Sequence, residues 1–373
     1  MSLAGKRGRV IRATAIAGSA LVAAVLVLLL VSADARFLGR ATFEEARILL
    51  RRRSLDRLIA DPATSDERRA AFELVRAARQ FAVDSLGLRA RGTFATYADV
   101  GRDTLVLVIS ASPRDALSDY RWHYPIVGAV PYKGFFDFAA AASEAKDLEA
   151  RGYDTYTRPS PAFSTLGWFD DPLLSTALTR DRVVLVATIL HELTHNTWYV
   201  PSQTPFDESL AEFVGWRGAQ CFFRARQDSV SANRAAAIWR DEKRLGRFYE
   251  RLSVSLGTLY GRHLSGAALD SGRAAVFGAA SQELAGGLDG TLEVYRGGRW
   301  ALNNATVVAQ LIYHTQLGVF DDALRRNAES LGATLAEVGP AIRGDAGRRD
   351  PFAAVTRIQA HATSGTCGIP SPI

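Results

Sequence analysis

The feature that most restricts the fold of this chain is a largely apolar segment that holds two histidines four positions apart. Residues 183–193 are almost wholly apolar, a composition typical of a buried helix. The segment runs into His191-Glu192-Leu193-Thr194-His195. On a helix, positions i and i+4 lie on one face, so both imidazoles would point the same way. Polar side chains on a buried helix need partners, and a metal ion would supply one.

The five residues spell H-E-x-x-H, a pattern with a known chemical use. Two neutral imidazoles at this spacing can hold one zinc ion. Glu192 would then lie at the flank of the ion, where it can take a proton from a zinc-bound water. The other interpretation of the same residues is a helix with two incidental histidines. The sequence therefore predicts His191 and His195 as zinc ligands and Glu192 as a catalytic residue.

A catalytic zinc site needs a third protein ligand and leaves the fourth position to water. Pro201 and Pro205 end the first helix and force a short loop. Thr204, Pro205 and Asp207 are then typical of a new helix, with Thr204 as N-cap and Pro205 in first position. Glu208 and Glu212 lie on one face of this second helix. Spacing alone does not choose between these two glutamates.

Several strings of the sequence resemble those of zinc peptidases. Phe206-Asp207-Glu208-Ser209-Leu210-Ala211 is similar to the N-E-x-F-A type segment that carries the third zinc ligand in gluzincin aminopeptidases. More closely, the chain resembles a bacterial family of predicted zinc aminopeptidases that carry H-E-L-x-H followed by F-N-E-S-F-A. This resemblance covers about residues 40 to 345. Its other matching strings are Pro125-Ile126-Val127-Gly128, Pro131-Tyr132-Lys133-Gly134, Ser164-Thr165-Leu166-Gly167-Trp168-Phe169, Asp171-Pro172-Leu173-Leu174-Ser175-Thr176, and Leu302-Asn303-Asn304-Ala305 with Tyr313.

The resemblance implies a specific site and activity. It implies His191, His195 and Glu208 as zinc ligands, Glu192 as the general base, and aminopeptidase activity on peptides. The sequence departs from the family in two places. Asp207 stands where the family usually has asparagine, which puts the surroundings of the third ligand in doubt. The lipoprotein cysteine common in the family's leader is missing, so attachment to a membrane would have to differ.

The composition predicts one folded domain of mixed class. Hydrophobic residues make up 48% of the 373 residues and charged residues 23%, which is enough for a sizeable core. Long helical patterns surround a few short strand patterns, so we expect a helix-dominated α+β fold with a zincin-like core and a small sheet beside the HExxH helix. No linker or repeat divides it. We expect the peptidase-like domain at 37–345 and a C-terminal tail at 346–373.

The N-terminal segment predicts attachment to a membrane. Four basic residues in positions 1–13 precede an apolar run. That run is about 19 residues long, enough to span a bilayer, and we assign 14–33 as the anchor. The predicted protein is therefore single-pass, with a cytoplasmic tail and an extracytoplasmic (periplasmic) catalytic domain. Ala33-Asp34-Ala35 also fits a cleavage site, which leaves a removable signal as the alternative.

The sequence says less about other binding partners and about the roles of other side chains. The net charge is +6, but arginines are spread along the chain, and we expect no nucleic-acid binding. Cys221 and Cys367 suit an exported protein, and sequence does not say whether they pair. Ser164–Phe169 is a candidate edge strand for a peptide substrate, or a packed turn. The candidates to stabilise the oxyanion are Tyr132, Tyr295 and Tyr313, of which Tyr313 leads because Asn303-Asn304 caps its helix and His314 adjoins it.

Together these observations predict a membrane-anchored zinc metallopeptidase. Glu192 acts as general base on a zinc-bound water, and Tyr313 donates to the oxyanion. Hydrolysis at zinc follows from the residues, whereas aminopeptidase specificity follows from the resemblance. One alternative is an endopeptidase or amidase of the same chemistry. The other is a non-catalytic, membrane-anchored zinc-binding interaction protein, which the intact Glu192 argues against because a structural site has no use for that base.

Overall fold

The described part of the protein is a helix-dominated α+β fold, as predicted. The computed structural model describes Ile16 and residues 33–124, 128–160, 170–296 and 301–358. Its helices are α1 Ala33–Arg51, α2 Leu55–Ala60, α3 Asp66–Leu86, α4 Phe138–Ala150, α5 Arg182–Thr197, α6 Thr204–Ala225, α7 Ser229–Tyr260, α8 Gly266–Ala285, α9 Gly287–Gly290, α10 Asn304–His314, α11 Gly318–Arg326, α12 Leu331–Arg343, α13 Asp345–Arg349 and α14 Pro351–Thr356. Its strands are β1 Arg53–Ser54, β2 Thr96–Ala98, β3 Val106–Pro113, β4 Trp122–Tyr124, β5 Gly128–Val130, β6 Lys133–Phe135, β7 Tyr153–Ser160 and β8 Leu173–Leu174.

Helix α5, which carries the two motif histidines, lies in the main hydrophobic core. The Asp181 side chain caps its N-terminus by accepting hydrogen bonds from the main-chain N–H groups of Val183 and Val184, which satisfies donors that a helix start leaves free. Helices α3, α6 and α7 all pack against α5. The helix buries apolar side chains on most of its surface, as the apolar sequence predicted. These buried residues are Val183, Leu185, Val186, Ala187, Ile189, Leu190 and Leu193.

Helix α6 follows α5 after a short loop and packs closely along it. It begins one residue earlier than predicted, because Thr204 is its first residue and Gln203 takes the N-cap position without a side-chain cap. Two glycines permit the close approach. A Cβ at Gly215 would lie 2.9 Å from the carbonyl oxygen of Ala187, and one at Gly218 would lie 2.7 Å from the Leu190 side chain. This contact fixes α6, and with it Glu208, against the HExxH helix.

A small antiparallel sheet packs against α10, the helix that also contacts α6 and α7. Its strand order is β6-β3-β7, and β7 pairs along its whole length with β3, from Tyr153 opposite Pro113 to Ser160 opposite Val106. Helix α10 contacts both β3 and β7, and it also contacts α6 and α7. Helix α4 contacts β3 and β7 as well. The sheet therefore reaches the HExxH region through α10, which lies between them. A second sheet has the order β1-β2-β8, and β4 pairs with β5.

The C-terminal helices pack onto the core within the described residues. Phe352 of α14 is buried and its ring centroid lies 5.1 Å from that of Phe206 on α6. Helix α14 and all of α13 except Asp345 lie within the segment predicted as a tail. The predicted domain limits stay a prediction.

The prediction of an N-terminal transmembrane helix, and of a single-pass membrane protein with an extracytoplasmic domain, is corrected. Across the residues that the structure describes, no helix combines the length and the apolar character that a bilayer crossing requires. Helix α1 has 19 residues, but charged side chains such as Arg36, Arg40 and Glu44 run along it, and a bilayer core disfavours such charges. The apolar run assigned as the anchor lies outside the described residues, apart from Ile16 and the start of α1.

Candidate metal centre

Three side chains from α5 and α6 meet at one point. The Nε2 atoms of His191 and His195 lie 3.2 Å apart. The Oε2 atom of Glu208 lies 3.3 Å from His191 Nε2 and 3.5 Å from His195 Nε2. One ligand atom from each residue falls within 4.8 Å of the others, and all three residues are partly buried. The structure thus brings together the three residues that the resemblance implied as ligands.

The size of this triangle fits a tetrahedral zinc ion. Zinc binds histidine nitrogen and carboxylate oxygen at about 2.0 to 2.2 Å, so neighbouring ligand atoms of a tetrahedral ion lie about 3.4 Å apart. The three observed distances, 3.2, 3.3 and 3.5 Å, bracket that value. Two imidazoles and one carboxylate are also ligands that zinc commonly takes in enzymes. The three residues therefore fit the ion as donors and in geometry.

Without a metal, the same three side chains form a charged cluster. Burial lowers the pKa of His191, but the hydrogen bond with Glu208 and the charges of Glu212 and Glu192 raise it to about 9. Burial raises the pKa of Glu208, but its bonds with His191 and His195 outweigh burial and hold that pKa well below its ordinary value. Without a metal, ionised Glu208 therefore pairs with protonated histidine, and a bound metal ion would replace those protons.

Glu212 lies behind His191 rather than among the three ligand atoms. Its Oε1 atom is 3.5 Å from His191 Nδ1, the nitrogen that faces away from Glu208. Its Oε2 atom accepts a 2.7 Å hydrogen bond from the Trp216 indole. A carboxylate in this position can orient the ring and raise the basicity of a ligating histidine. Glu208 therefore lies beside the Nε2 atoms of both histidines, whereas Glu212 approaches the far nitrogen of His191.

Glu192 and two tyrosines border the centre. Glu192 is partly buried on α5, between the two histidines in sequence. Burial, together with the charges of Glu208 and Glu192, raises the pKa of Tyr132 to about 12. Burial and the charge of Glu208 raise the pKa of Tyr313 well above its ordinary value. Both hydroxyls therefore keep their protons at neutral pH and can donate hydrogen bonds near the ligands.

Of the three candidate tyrosines, Tyr295 is engaged elsewhere. Its hydroxyl donates a 2.6 Å hydrogen bond to Glu242 Oε1. The other oxygen of Glu242 lies 2.6 Å from His314 Nε2, so Tyr295 and His314 share one buried carboxylate behind the site. Tyr313 is held at the site itself, because Ser209 donates to its main-chain oxygen and the predicted Asn303 cap begins its helix.

Asp207 occupies a buried position next to Glu208. Its Oδ1 atom accepts a 3.0 Å hydrogen bond from the main-chain N–H of Val200, whereas its Oδ2 atom is buried without a hydrogen-bond partner among the described residues. Burial raises the pKa of this carboxyl to about 7. An asparagine, the usual residue of the resembling family, would carry no charge here. The departure at this position therefore has a measurable electrostatic consequence.

Several other sequence candidates lie away from the centre or outside the described residues. Asp170 approaches Gly92, and the main-chain oxygen of Asp171 accepts from Phe94 N–H. Cys221 is buried on α6, while His123 and His263 are exposed. Two points that the sequence left open fall on residues beyond the described ranges: whether Ser164–Phe169 is an edge strand or a packed turn, and whether Cys367 pairs with Cys221.

The sequence interpretation missed Arg158, a residue of β7 at the border of the site. Its Nη2 atom donates a 3.1 Å hydrogen bond to the Tyr313 hydroxyl, and its guanidinium carbon lies 5.5 Å from the centre of the Tyr313 ring. The two residues are 155 positions apart. The local sequence carries only the alternation of Asp154, Tyr156 and Arg158, which a strand would place on one face.

Comparison with known proteins identifies the family of this chain. A family model described as "Putative aminopeptidase" matches residues 36–350, most of the chain. The chain belongs to this family, and the predicted family is confirmed. No curated protein and no solved structure matches the chain. Membership supports a peptidase and a peptide as substrate.

Proposed function

We propose that this protein is a zinc-dependent aminopeptidase, with His191, His195 and Glu208 as the zinc ligands. The observation that carries the proposal is the triangle of ligand atoms with sides of 3.2, 3.3 and 3.5 Å. Family membership supports hydrolysis of peptides from the amino terminus. Zinc, when bound, would polarise the scissile carbonyl and ease deprotonation of water.

Side chains of the protein carry out proton transfer, stabilise the oxyanion and orient the His191 ring. Glu192 takes a proton from the attacking water and later passes it to the leaving amine. Tyr313 donates a hydrogen bond to the oxyanion that develops on the scissile carbonyl. Its hydroxyl suits this role because Arg158 donates to the hydroxyl oxygen, which leaves the hydroxyl proton free for the substrate. Glu212 holds the His191 ring from behind.

Metal analysis of the purified full-length protein tests the site. We expect about one zinc per chain in the wild type, and loss of that zinc in His191→Ala and in Glu208→Ala. Zinc retained in Glu208→Ala but lost in Glu212→Ala would move the third ligand to Glu212. Absence of zinc in the wild type after loading would reject the metallopeptidase and favour a non-catalytic binding protein.

Turnover assays test the reaction. Glu192→Gln should keep zinc and lose activity by a factor of about 100 to 10,000, because general base catalysis supplies about that much. A Glu192→Gln enzyme with near-normal activity would defeat the mechanism. Peptides with free and with blocked amino termini separate an aminopeptidase from an endopeptidase. Only the former requires the free amine.

A further inference from the structure

Arg158 is a cation beside the centre whose near surroundings are aromatic and uncharged. It lies on β7 and is partly buried. Within the described residues it makes one hydrogen bond, to the Tyr313 hydroxyl, and its guanidinium lies over the Tyr313 ring. After burial, the largest effects on the pKa of Arg158 come from three tyrosines, Tyr313, Tyr156 and Tyr132. A guanidinium has five N–H donors, so this arrangement leaves most of them for another group.

No carboxylate neutralises Arg158 within the described residues. No ion pair there includes it, whereas buried Arg273 pairs with Asp154 and partly buried Arg244 pairs with Asp241. The residue stretches 125–127, 161–169 and 297–300 contain no aspartate or glutamate in the sequence. A partly buried cation without a counter-ion is costly. An anionic ligand would remove that cost.

The contacts of Arg158 place this cation beside the candidate metal centre, where the proposed function would bind a peptide. Tyr313 connects Arg158 to the centre, because its hydroxyl accepts a hydrogen bond from Arg158 and its main-chain oxygen accepts one from Ser209, the residue that follows Glu208. One tyrosine therefore links the guanidinium to the part of α6 that carries Glu208. An extended peptide advances about 3.3 Å per residue, so a carboxylate on a residue at or just beyond the scissile bond comes within reach.

We propose that Arg158 pairs with a carboxylate of the peptide substrate, so that the preferred substrates are anionic near the scissile bond. This inference rests on the proposed peptidase function. The carboxylate has two sources of the same chemistry: the free C-terminus of a di- or tripeptide, or the side chain of an aspartate or glutamate. A planar guanidinium suits a carboxylate because two parallel N–H groups match its two oxygens.

Matched substrate pairs test the proposal through ratios of kcat/KM. The first pair is Ala-Ala and Ala-Ala-amide, which differ in the C-terminal carboxylate alone. The second pair has glutamate or glutamine as first residue of a peptide amide. We expect the wild type to favour the carboxylate member of at least one pair by about tenfold or more, as for loss of a charged hydrogen-bond partner. The pair that shows the preference identifies the source.

The variant Arg158→Gln should bring that ratio to within about twofold of one, while Arg158→Lys should keep an intermediate ratio. The ratio is the diagnostic quantity, because loss of the Tyr313 hydrogen bond lowers the rates for both members alike. A wild-type ratio near one for both pairs would overturn the proposal and leave the peptidase function standing. An unchanged ratio in Arg158→Gln would also overturn it. No hydrolysis of any of the four peptides would instead be a failure of the proposed function.

Two control variants separate substrate binding from structural roles. Arg151 makes similar contacts away from the centre, with its guanidinium 5.4 and 5.5 Å from the rings of Tyr120 and Tyr153. Arg151→Gln should leave the substrate ratios unchanged. Tyr313→Phe keeps Arg158 but removes its partner hydroxyl, and it should preserve the preference.

Calorimetric titration of Glu192→Gln with Ala-Ala and its amide measures the same preference without turnover. Equal affinities for the two ligands would count against the C-terminal carboxylate as the source.

Discussion

Gly215 of α6 lies against the main-chain carbonyl oxygen of Ala187 on α5. A Cβ built at Gly215 would come 2.9 Å from that oxygen and 3.4 Å from the Cβ of His191. The close packing of these two helices carries Glu208 to the histidines. The site therefore depends on a residue that touches no ligand and holds no functional group.

The variant Gly215→Ala should separate α5 from α6 and weaken both folding and metal binding. The backbone oxygen of Ala187 cannot move out of the way alone, so the added methyl should cost about 1 to 3 kcal/mol of unfolding free energy. Thermal unfolding and zinc titration measure the two effects. The matched control is Gly278→Ala, since a Cβ there meets no atom within 4 Å. That helical glycine should instead gain about 0.5 to 1 kcal/mol as alanine. Equal effects at both positions would show that the helix contact is not tight.

The sequence predicts those parts of the fold that depend on local patterns. The amphipathic pattern from Asp66 to Leu86 predicts one helix. Helix α3 has these bounds, because Ser65 caps its start and Gly87 takes a left-handed conformation at its end. The motif spacing likewise predicts that His191 and His195 share one face. The choice of Glu208 over Glu212 came from resemblance, because both lie on the same face of α6. The two glutamates differ in their distances to the histidine nitrogens of α5, which the sequence does not give.

Features that depend on distant pairing were not predicted. The pattern from Phe43 to Ala60 suggested one helix, but Arg53 and Ser54 leave it to pair with β2 across more than forty residues. The pattern from Ala323 to Leu331 likewise predicts one helix, but the helix is interrupted because Ala328 and Glu329 adopt positive φ angles. Arg158 reaches Tyr313 only because β7 and α10 pack together. Nothing in the local sequence of either residue indicates that contact.

Removal of the Glu212 charge should weaken zinc binding without abolishing it. Glu212 supports His191 through Nδ1, and loss of such a partner typically costs about 10- to 100-fold in metal affinity. Competitive titration of Glu212→Gln against a chelator of known affinity measures this loss. Glu73, an exposed residue of α3, gives the control Glu73→Gln, which should bind as the wild type does. Complete loss of zinc in Glu212→Gln would instead assign Glu212 as a ligand.

Loss of the Tyr313 hydroxyl should lower kcat far more than it changes substrate affinity. Removal of one oxyanion donor costs about 100- to 1,000-fold in kcat in well-studied hydrolases. Tyr313→Phe keeps the ring that Arg158 covers, so folding should change little. The comparison is Tyr132→Phe, whose hydroxyl also lies in the field of Glu208. A larger loss in Tyr132→Phe would transfer the oxyanion role to that residue.

Glu45 should make the stability of the protein depend on pH between about 4.5 and 7. Burial and the charge of Asp171 raise its pKa from 4.5 to about 7. The folded state then holds a proton that the unfolded state has already released, so stability falls as pH rises through this range. Because Glu45 is only partly buried, we expect about 1 to 2 kcal/mol rather than the full value of the shift.

Chemical denaturation of the wild type and of Glu45→Gln at pH 5 and at pH 8 measures this effect. The amide has the shape of the carboxyl group but no charge. The unfolding free energy of the variant should therefore increase relative to that of the wild type as pH rises. Other titrating groups are common to both proteins and cancel in the difference. Parallel curves would mean that Glu45 is ionised in the folded state at both pH values. The packing of α1 next to Asp171 would then have to be more open to water than the structure indicates.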